Sequence, residues 1–323
     1  MTIVASMYIQ QLSYLNHFTQ FYEEILTYQY PNIQPSINRN PIKLRLSKEF
    51  IGEALGTFLL VLFGCGSVAV SVLFNAYQGI MQIPLAWGIG VTLSIYLTRH
   101  LSCAHLNPAI SLAMVISKRM SVRKLPVYLI AQFTGAFIAG IAIYLLFSPS
   151  ISAFESTHNI IRGTAESVQT AKMFGEYYAS PGNTAVVSLP LAIGAEAFGT
   201  FLLLLMIFAL TEGCNVGRPH DAMAPLFIGL TVSSVICLIA PLTQAGLNPA
   251  RDFGPRMVAW VTGWGDAAFP DQNGGFFLVY ILGPILGGIL ASLFFIYVLE
   301  PAMKRSLVRC DCENDSSIKK LKN

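Results

Sequence analysis

Charged residues are scarce in this sequence. Asp, Glu, Lys and Arg together make up 11% of its 323 residues, whereas a soluble domain carries about 25%. This shortage argues against a water-soluble enzyme. The 20 basic and 17 acidic residues leave a net charge of +3, which is too small and too scattered for a protein that binds nucleic acid.

Cysteine patterns typical of metal or disulfide frameworks are also missing. Of the six cysteines, Cys310 and Cys312 form a CxC pair in a polar tail, and the others lie in or beside apolar segments. Because no spacing matches a set of metal ligands, we expect no metal site, no cofactor and no disulfide scaffold. The N-terminus has no basic region followed by an apolar stretch and a cleavage site, so we expect no signal peptide.

Long apolar runs are what the sequence does have, since 54% of its residues are hydrophobic. A helix needs about 20 apolar residues to cross the roughly 30 Å hydrocarbon core of a bilayer. We therefore expect an all-α membrane protein with six spans, at residues 50–72, 83–97, 125–147, 186–210, 223–242 and 276–299. The second run is short and is expected to begin before residue 83. A polar link, residues 148–184, separates the third span from the fourth.

Two further apolar segments, 108–116 and 249–261, are too short to cross a bilayer and predict re-entrant helices. Sixteen of the twenty Lys and Arg residues fall in the two tails, after the second span and, as Arg218 alone, between the fourth and fifth spans. This pattern predicts that both termini are cytoplasmic. The expected organisation is an N-terminal tail at 1–47, a membrane domain at 48–303 and a C-terminal tail at 304–323.

The chain contains an internal repeat. The segment EALGTFLL beginning at Glu53 returns as EAFGTFLL at Glu196, and HLNPA in the first copy returns as GLNPA in the second. Each copy, about 48–147 and about 186–299, holds three predicted spans. Because three is odd, the second copy enters the membrane from the opposite side, which predicts an inverted repeat with its functional site near the midplane.

The tripeptide Asn-Pro-Ala occurs twice, as Asn107, Pro108 and Ala109 and as Asn248, Pro249 and Ala250. Asn is a preferred helix N-cap and Pro a preferred first helical residue. One such box alone would be an ordinary cap. Two boxes at matching places of an inverted repeat predict two half-helices whose N-termini face each other. Their free N–H groups and partial positive charge suit the oxygen of a neutral molecule and repel cations.

With these motifs, the chain resembles the major intrinsic protein family, the aquaporins and aquaglyceroporins, over roughly residues 48–303. In the segment NPARDFGPR, Asp252 follows the box arginine and a basic residue comes four positions later, which is similar to the glycerol-conducting branch. The link at 148–184 and the insertion AWVTGWG at 259–265 are similar to that branch as well. The resemblance implies six spans plus two re-entrant half-helices in an inverted repeat, assembled as a homotetramer.

The resemblance also implies a selectivity filter made of Trp87, Ile236, Ala245 and Arg251. Trp87 lies 20 residues before the first box asparagine, the spacing of the filter tryptophan in glycerol facilitators. Ile236 and Ala245 depart from that pattern, because glycerol facilitators have a glycine and a bulky aromatic there. The set of four resembles the filter of plant nodulin-26-like proteins. The volume added by isoleucine at 236 partly cancels the volume lost with the aromatic at 245, but the exchange shifts the position of the filter opening.

Loop support is a further implication of the resemblance. It implies that Glu53 and Glu196, two acids within apolar spans, accept hydrogen bonds from backbone N–H groups of the re-entrant loops rather than relay protons. His105 is expected to fix the first loop, and Asp252 is also assigned to loop support. In the sixth span, Tyr280 stands where glycerol facilitators have proline, and an aromatic there is closer to water-selective members.

The expected function is a passive channel for glycerol, other small uncharged solutes and water that excludes ions and protons, in the plasma membrane. An alternative is a mainly water-conducting pore, or one tuned to urea or neutral metalloid acids, which Ile236 and Tyr280 favour. A proton-coupled transporter would need ionisable pairs at the midplane, where only the two repeat glutamates are found. A closed structural protein is disfavoured by Arg251 and both boxes. No nucleophile, base or metal set supports an enzyme.

Overall fold

The structure is a computed structural model, and it describes residues 47–76, 79, 81–178, 186–269 and 275–304. All of these belong to one compact unit. The two predicted tails therefore lie almost entirely outside the described residues. Within the described ranges the regular structure is helical and contains no strand, so the predicted all-helical class is confirmed.

Among the described residues, eight helical segments form the fold, apart from short turns in the links. In chain order they are α1 (Lys48–Phe74), α2 (Gln82–Thr98), α3 (Pro108–Ile116), α4 (Leu125–Thr157), α5 (Leu189–Thr211), α6 (Ala224–Thr243), α7 (Pro249–Ala259) and α8, which runs through Phe277–Leu282, Gly283–Phe294 and Phe295–Leu299. Helices α1, α4, α5, α6 and α8 are long and apolar enough to cross a membrane. The remaining predicted span, α2, is apolar but has only 17 residues.

The predicted C-terminal ends of two helices, α4 and α7, are wrong. Helix α4 continues to Thr157, although residues from 148 onward were expected to form a polar link. The extension is stabilised by tertiary contacts, because Ile151 is fully buried and the buried Glu155 is paired with Arg162. Helix α7 ends at Ala259, two residues earlier than predicted, and continues as wider helical turns.

The two repeats meet where α2 crosses α6. A Cβ atom added to Gly88 would reach the backbone carbonyl oxygen of Gly229, and a Cβ added to Gly229 would reach that of Gly88. Inside the repeats, Gly135 of α4 lies on the backbone of α1, and Gly287 of α8 lies on that of α5 in the same manner. Small residues allow such close approach between membrane helices. Helix α3 of the first copy packs against α8 of the second, and helix α7 of the second copy packs against α4 of the first.

The crossing of α2 and α6 generates a stability prediction. Gly229→Ala is expected to lower the free energy of unfolding by about 1–3 kcal/mol, because the added methyl group has no room against the α2 backbone. The matched control is Gly66→Ala in α1, where an added Cβ meets nothing within 4 Å. Thermal unfolding in detergent, followed by intrinsic fluorescence, measures both variants. Equal midpoints for the two variants would contradict this account of the crossing.

Candidate functional site

Each half-helix begins at its Asn-Pro-Ala box, as the capping pattern predicts. Asn107 is the extended N-cap residue of α3, and its side-chain oxygen accepts a hydrogen bond from the Ala109 N–H at 2.8 Å. Asn248 caps α7 in the same conformation and accepts from Ala250 at 3.1 Å and from Arg251 at 3.2 Å. The side-chain oxygens are therefore used by their own helices, so that the amide nitrogens are left to face the opposite loop.

The two boxes are joined by reciprocal hydrogen bonds. The Asn107 Nδ2 group donates to the Leu247 carbonyl at 2.9 Å, and the Asn248 Nδ2 group donates to the Leu106 carbonyl at 2.7 Å. Each amide nitrogen carries two N–H groups, and this contact uses one of them. The structure thus brings the N-termini of α3 and α7 together, although they are 141 positions apart in the chain. The other N–H of each amide is available to a solute.

The loops that lead into the boxes are held in a conformation that non-glycine residues rarely adopt. Ala104 and Leu106 have φ values of 49° and 54°, and Gln244, Ala245 and Leu247 have φ values of 65°, 67° and 57°. Such left-handed residues cost on the order of 1–3 kcal/mol each and persist only where the surroundings hold them. The strain therefore requires a compensating set of contacts on each loop.

Two buried glutamates supply those contacts. The carboxylate of Glu53 accepts from the backbone N–H groups of His105 at 3.0 Å and Leu106 at 2.7 Å. The carboxylate of Glu196 accepts from Gly246 at 2.8 Å and Leu247 at 2.7 Å. Because a trans peptide is planar, the carbonyl on the far side of each of these N–H groups points away from the glutamate. Carbonyls of both loops are thereby turned toward the space between the helices.

The first loop has additional support from side chains. Glu53 also accepts from the Ser102 hydroxyl at 2.7 Å and from the Gln132 amide at 2.8 Å. His105 places its Nδ1 atom 3.2 Å from the Ser111 hydroxyl, and its ring packs 5.0 Å from that of Tyr128. The imidazole is therefore held in one orientation by α3 and α4. In this position it contributes to the wall of the cavity described next.

A cavity of about 510 Å³ touches both boxes and every predicted filter residue. At one end it reaches Trp87, Ile236, Ala245 and Arg251, and at the other it reaches Arg99, Arg119 and Asp221. Its polar lining includes the two box asparagines and the loop backbone, and most of the rest is apolar. The apolar lining residues include Leu60, Val91, Ile110, Leu203, Ile207 and Val232.

The predicted filter residues are all buried and line the same cavity. Trp87, Ile236, Ala245 and Arg251 expose 3%, 5%, 1% and 3% of their surface. The guanidinium carbon of Arg251 lies 4.0 Å from the centre of the Trp87 ring, close enough for a cation–π contact. Within the described part of the chain, the Arg251 Nη1 atom is buried without a hydrogen-bond partner. It is therefore a buried donor that no group among the described residues satisfies.

Glu176 is a site residue that the sequence analysis missed. It lies in the link between α4 and α5, where an acidic side chain would ordinarily be solvated, yet it is 6% exposed and its carboxylate contacts Arg251 Nη2. Burial raises the pKa of the Glu176 carboxyl, and the positive charge of Arg251 opposes that rise. No local signal in the sequence marks this position, because its role depends on how the link folds over the filter.

Asp252 and Arg256 hold Glu176 in place. Asp252 accepts from the Glu176 backbone N–H at 2.8 Å and pairs with Arg256 Nε at 2.7 Å, while Arg256 Nη2 donates to the Glu176 carbonyl. Asp252 therefore supports the link over the filter rather than the loop that leads into the box. The acid after the box arginine, the base four positions later and the long link are therefore in contact with one another.

Comparisons with known proteins show the family of the chain. A model of the family described as "Major intrinsic protein" matches residues 42–295. The glycerol uptake facilitator protein of Pseudomonas aeruginosa is 40% identical over 246 residues, which cover 75% of this chain and 85% of that protein. The propanediol uptake facilitator PduF of Citrobacter freundii is 37% identical over 275 residues, which cover 84% of this chain and 98% of that protein.

A solved structure gives the same result for the fold. The X-ray structure of the aquaglyceroporin from Plasmodium falciparum superposes with a TM-score of 0.68 at 27% sequence identity. The match covers 79% of this chain and 98% of that one.

The contact between Glu176 and Arg251 generates a second stability prediction. Glu176→Gln removes the charge that faces the buried guanidinium, and we expect a loss of about 3 kcal/mol in the free energy of unfolding, the low end for a broken buried pair. The low end applies because Asp252 Oδ1 remains 3.9 Å from Arg251 Nη1. The control is Glu166→Gln, an exposed glutamate of the same link. Denaturant titration of both variants would disprove the role if their midpoints coincided.

Proposed function

Because the chain belongs to the major intrinsic protein family, we infer that it is a passive transmembrane channel for glycerol, other small uncharged solutes and water. As a member of this family it is a channel and not an enzyme. The observation that carries the proposal is the cavity that runs past both boxes to Arg251, with a polar strip on an otherwise mostly apolar wall. The glycerol uptake facilitators among its relatives support glycerol as a solute.

The polar strip and the apolar wall match the two sides of a small polyol. Hydroxyl groups can accept from Arg251 and from the amides of Asn107 and Asn248, and they can donate to the loop carbonyls turned away from the two glutamates. The carbon backbone would lie against the apolar lining. The hydrogen bonds that the solute makes with water and loses on entry are thereby replaced by bonds to the protein along the path. Movement needs no covalent step, and its direction follows the concentration gradient.

Exclusion of ions and protons is proposed to come from the same elements. The N-termini of α3 and α7 meet at the boxes, and each carries partial positive charge. Arg251 adds its positive charge at one end of the cavity, partly offset by the Glu176 carboxylate that contacts it. Half-helix dipoles together with an arginine are a known barrier to protons and cations in aquaporin pores. The reciprocal hydrogen bonds of Asn107 and Asn248 hold the two helix N-termini facing each other.

A mainly water-conducting pore, or one tuned to urea or neutral metalloid acids, is the second candidate. It is favoured by the side chain of Ile236, which occupies a filter position and is 5% exposed. Tyr280 favours it as well, because an aromatic at this position resembles the water-selective members of the family. In the structure its hydroxyl donates to the Thr243 carbonyl at 2.9 Å and its ring lies against Gly246.

The assembly and its orientation are part of the same proposal. We place the chain in the plasma membrane as a homotetramer, with both termini in the cytoplasm. The outward face of α2 carries the exposed apolar residues Leu85, Ile89 and Leu93 one turn apart, a stripe suited to lipid or to a neighbouring subunit. Basic residues gather where α2 and α3 end and α4 begins, in agreement with a cytoplasmic face there.

Stopped-flow light scattering on proteoliposomes tests the proposal, with empty liposomes as baseline. Wild-type vesicles are expected to shrink quickly in an impermeant osmolyte and to re-swell quickly in a glycerol gradient. Ile236→Gly should raise glycerol permeability about fivefold or more, a change of about 1 kcal/mol in the barrier. The matched control is Leu238→Gly, which places the same helix-weakening residue at a position of α6 that is 58% exposed.

Three outcomes would be decisive. Fast water flow without glycerol entry in the wild type would favour the second candidate, and rescue by Ile236→Gly would then locate the discrimination in the filter. Equal effects of the two glycine variants would show that Ile236 does not set the opening. Fluxes of wild-type vesicles no faster than those of empty liposomes would contradict the channel function.

A further inference from the structure

Both half-helices end in the same way, at the side away from the boxes. After α3, Lys118 has a φ of 58°, and hydrogen bonds run from its N–H to Val115 and from the Arg119 N–H to Met114 at 3.0 Å and 2.8 Å. This pattern is a Schellman motif. After α7, the helical turns continue to Thr262, and Gly263 follows with a φ of 111°. Each half-helix thus closes on a left-handed residue.

An arginine binds the carbonyl just before the left-handed residue at the end of α3. Arg119 Nη1 donates to the Ser117 carbonyl at 3.1 Å. The same guanidinium pairs through Nε with Glu212, the first residue after α5, and its Nη2 lies 3.5 Å from Glu300 at the end of α8. One side chain therefore ties the end of α3 to the ends of two spans.

Aromatic rings cover the other face of this guanidinium. Its central carbon lies 5.0 Å from the centre of the Phe208 ring and 5.3 Å from that of Phe295. The two rings are themselves stacked at 4.7 Å. Arg119 is thereby restrained in both its hydrogen-bonding plane and its stacking direction. Such a double restraint suits a residue that fixes a position better than it suits a solvated surface arginine.

A second arginine does the same for α7. Arg162 Nη1 donates to the Thr262 carbonyl at 2.9 Å, and its Nε pairs with Glu155 at 2.9 Å. Its guanidinium carbon lies 4.0 Å from the centre of the Trp264 ring. Arg119 directly follows its half-helix, whereas Arg162 comes from the link after α4. The same type of contact, an arginine bound to a carbonyl at the end of a half-helix, is therefore made by two unrelated parts of the chain.

These contacts act on the ends of the half-helices that carry partial negative charge. The last carbonyls of a helix lack partners within it, and a cation there stabilises the helix. Helices α3 and α7 have 9 and 11 residues, so each is a short rod of about 14–17 Å. A rod held at its far end has a defined direction at its near end, where the box asparagine lies.

We propose that Arg119 and Arg162 are positioning residues of the pore, each of which fixes one half-helix from behind and so determines where Asn107 or Asn248 stands. The inference rests on the proposed function only for its transport readout. Its structural readout is the hydrogen exchange of backbone amides at the box, which is independent of any flux.

The test compares Arg119→Met with Arg123→Met in nanodiscs and in proteoliposomes. Arg123 is an exposed arginine of the same end of the molecule. Arg119→Met is expected to speed amide exchange in the segment 104–113 about tenfold, because the rod loses its far anchor. Glycerol permeability per channel should fall about fivefold. Arg119→Lys should recover part of both, since the charge remains but the fork and the stacking are lost.

Arg162→Met tests the second rod separately. It should speed exchange in the segment 245–255 and leave 104–113 as in the wild type. If Arg119→Met fails to fold, Glu212→Gln, which weakens the hold on the guanidinium and leaves the arginine in place, should give a smaller change of the same kind.

The proposal is overturned if exchange at the boxes is unchanged in both arginine variants. It is equally overturned if glycerol flux falls while amide exchange rises only next to the mutated arginine and not at the box. In that case the arginine would act at the mouth of the pore. A wild-type protein without glycerol flux but with faster box exchange in Arg119→Met would refute the proposed function and leave the positioning role standing.

Discussion

The hydrogen bonds between a buried carboxylate and two loop N–H groups are the interaction on which the pore depends. Glu53 and Glu196 each accept two such bonds at 2.7–3.0 Å, and both are fully buried. Bonds to a charged acceptor contribute about 1.5–3 kcal/mol each, which is similar to the cost of the left-handed residues in each loop. The strained loops and the buried acids therefore stabilise each other.

Several features of the pore follow from this pairing. Because the loop N–H groups are directed to the glutamates, the loop carbonyls face the cavity. The same loop conformation brings Asn107 and Asn248 close together. Each box asparagine then donates a hydrogen bond to the opposite loop, Asn107 to the Leu247 carbonyl and Asn248 to the Leu106 carbonyl. The same arrangement occurs in both repeats, which makes the two halves of the path chemically alike.

The filter end is built by a different chain of contacts. Asp252 and Arg256 clasp the backbone of Glu176, the Glu176 carboxylate contacts Arg251, and Arg251 lies on the Trp87 ring. A segment outside the membrane helices thus helps to orient the charged donor inside the pore. The repeat does not impose this arrangement, because the Glu176 link has no counterpart in the second copy.

Features encoded by local sequence could be predicted, and features that depend on distant contacts could not. Helix α3 spans the predicted residues 108–116 because its Asn-Pro start is a local signal and its apolar run ends before the basic residues that follow. Helix α4 was predicted to end at 147, since its last ten residues are polar in composition and become helical through contacts with the link. Glu176 was missed for the same reason, as a glutamate in a polar stretch has no local mark of burial.

The measurement that tests the central claim most directly is the glycerol flux of a channel without its two carboxylates. Glutamine keeps the size of glutamate, but its amide nitrogen cannot accept a hydrogen bond, so each loop loses a support. Stopped-flow measurements on folded Glu53→Gln, Glu196→Gln and the double variant are predicted to show reduced flux in each single variant and near-baseline flux in the double. Wild-type flux in the double variant would contradict the account.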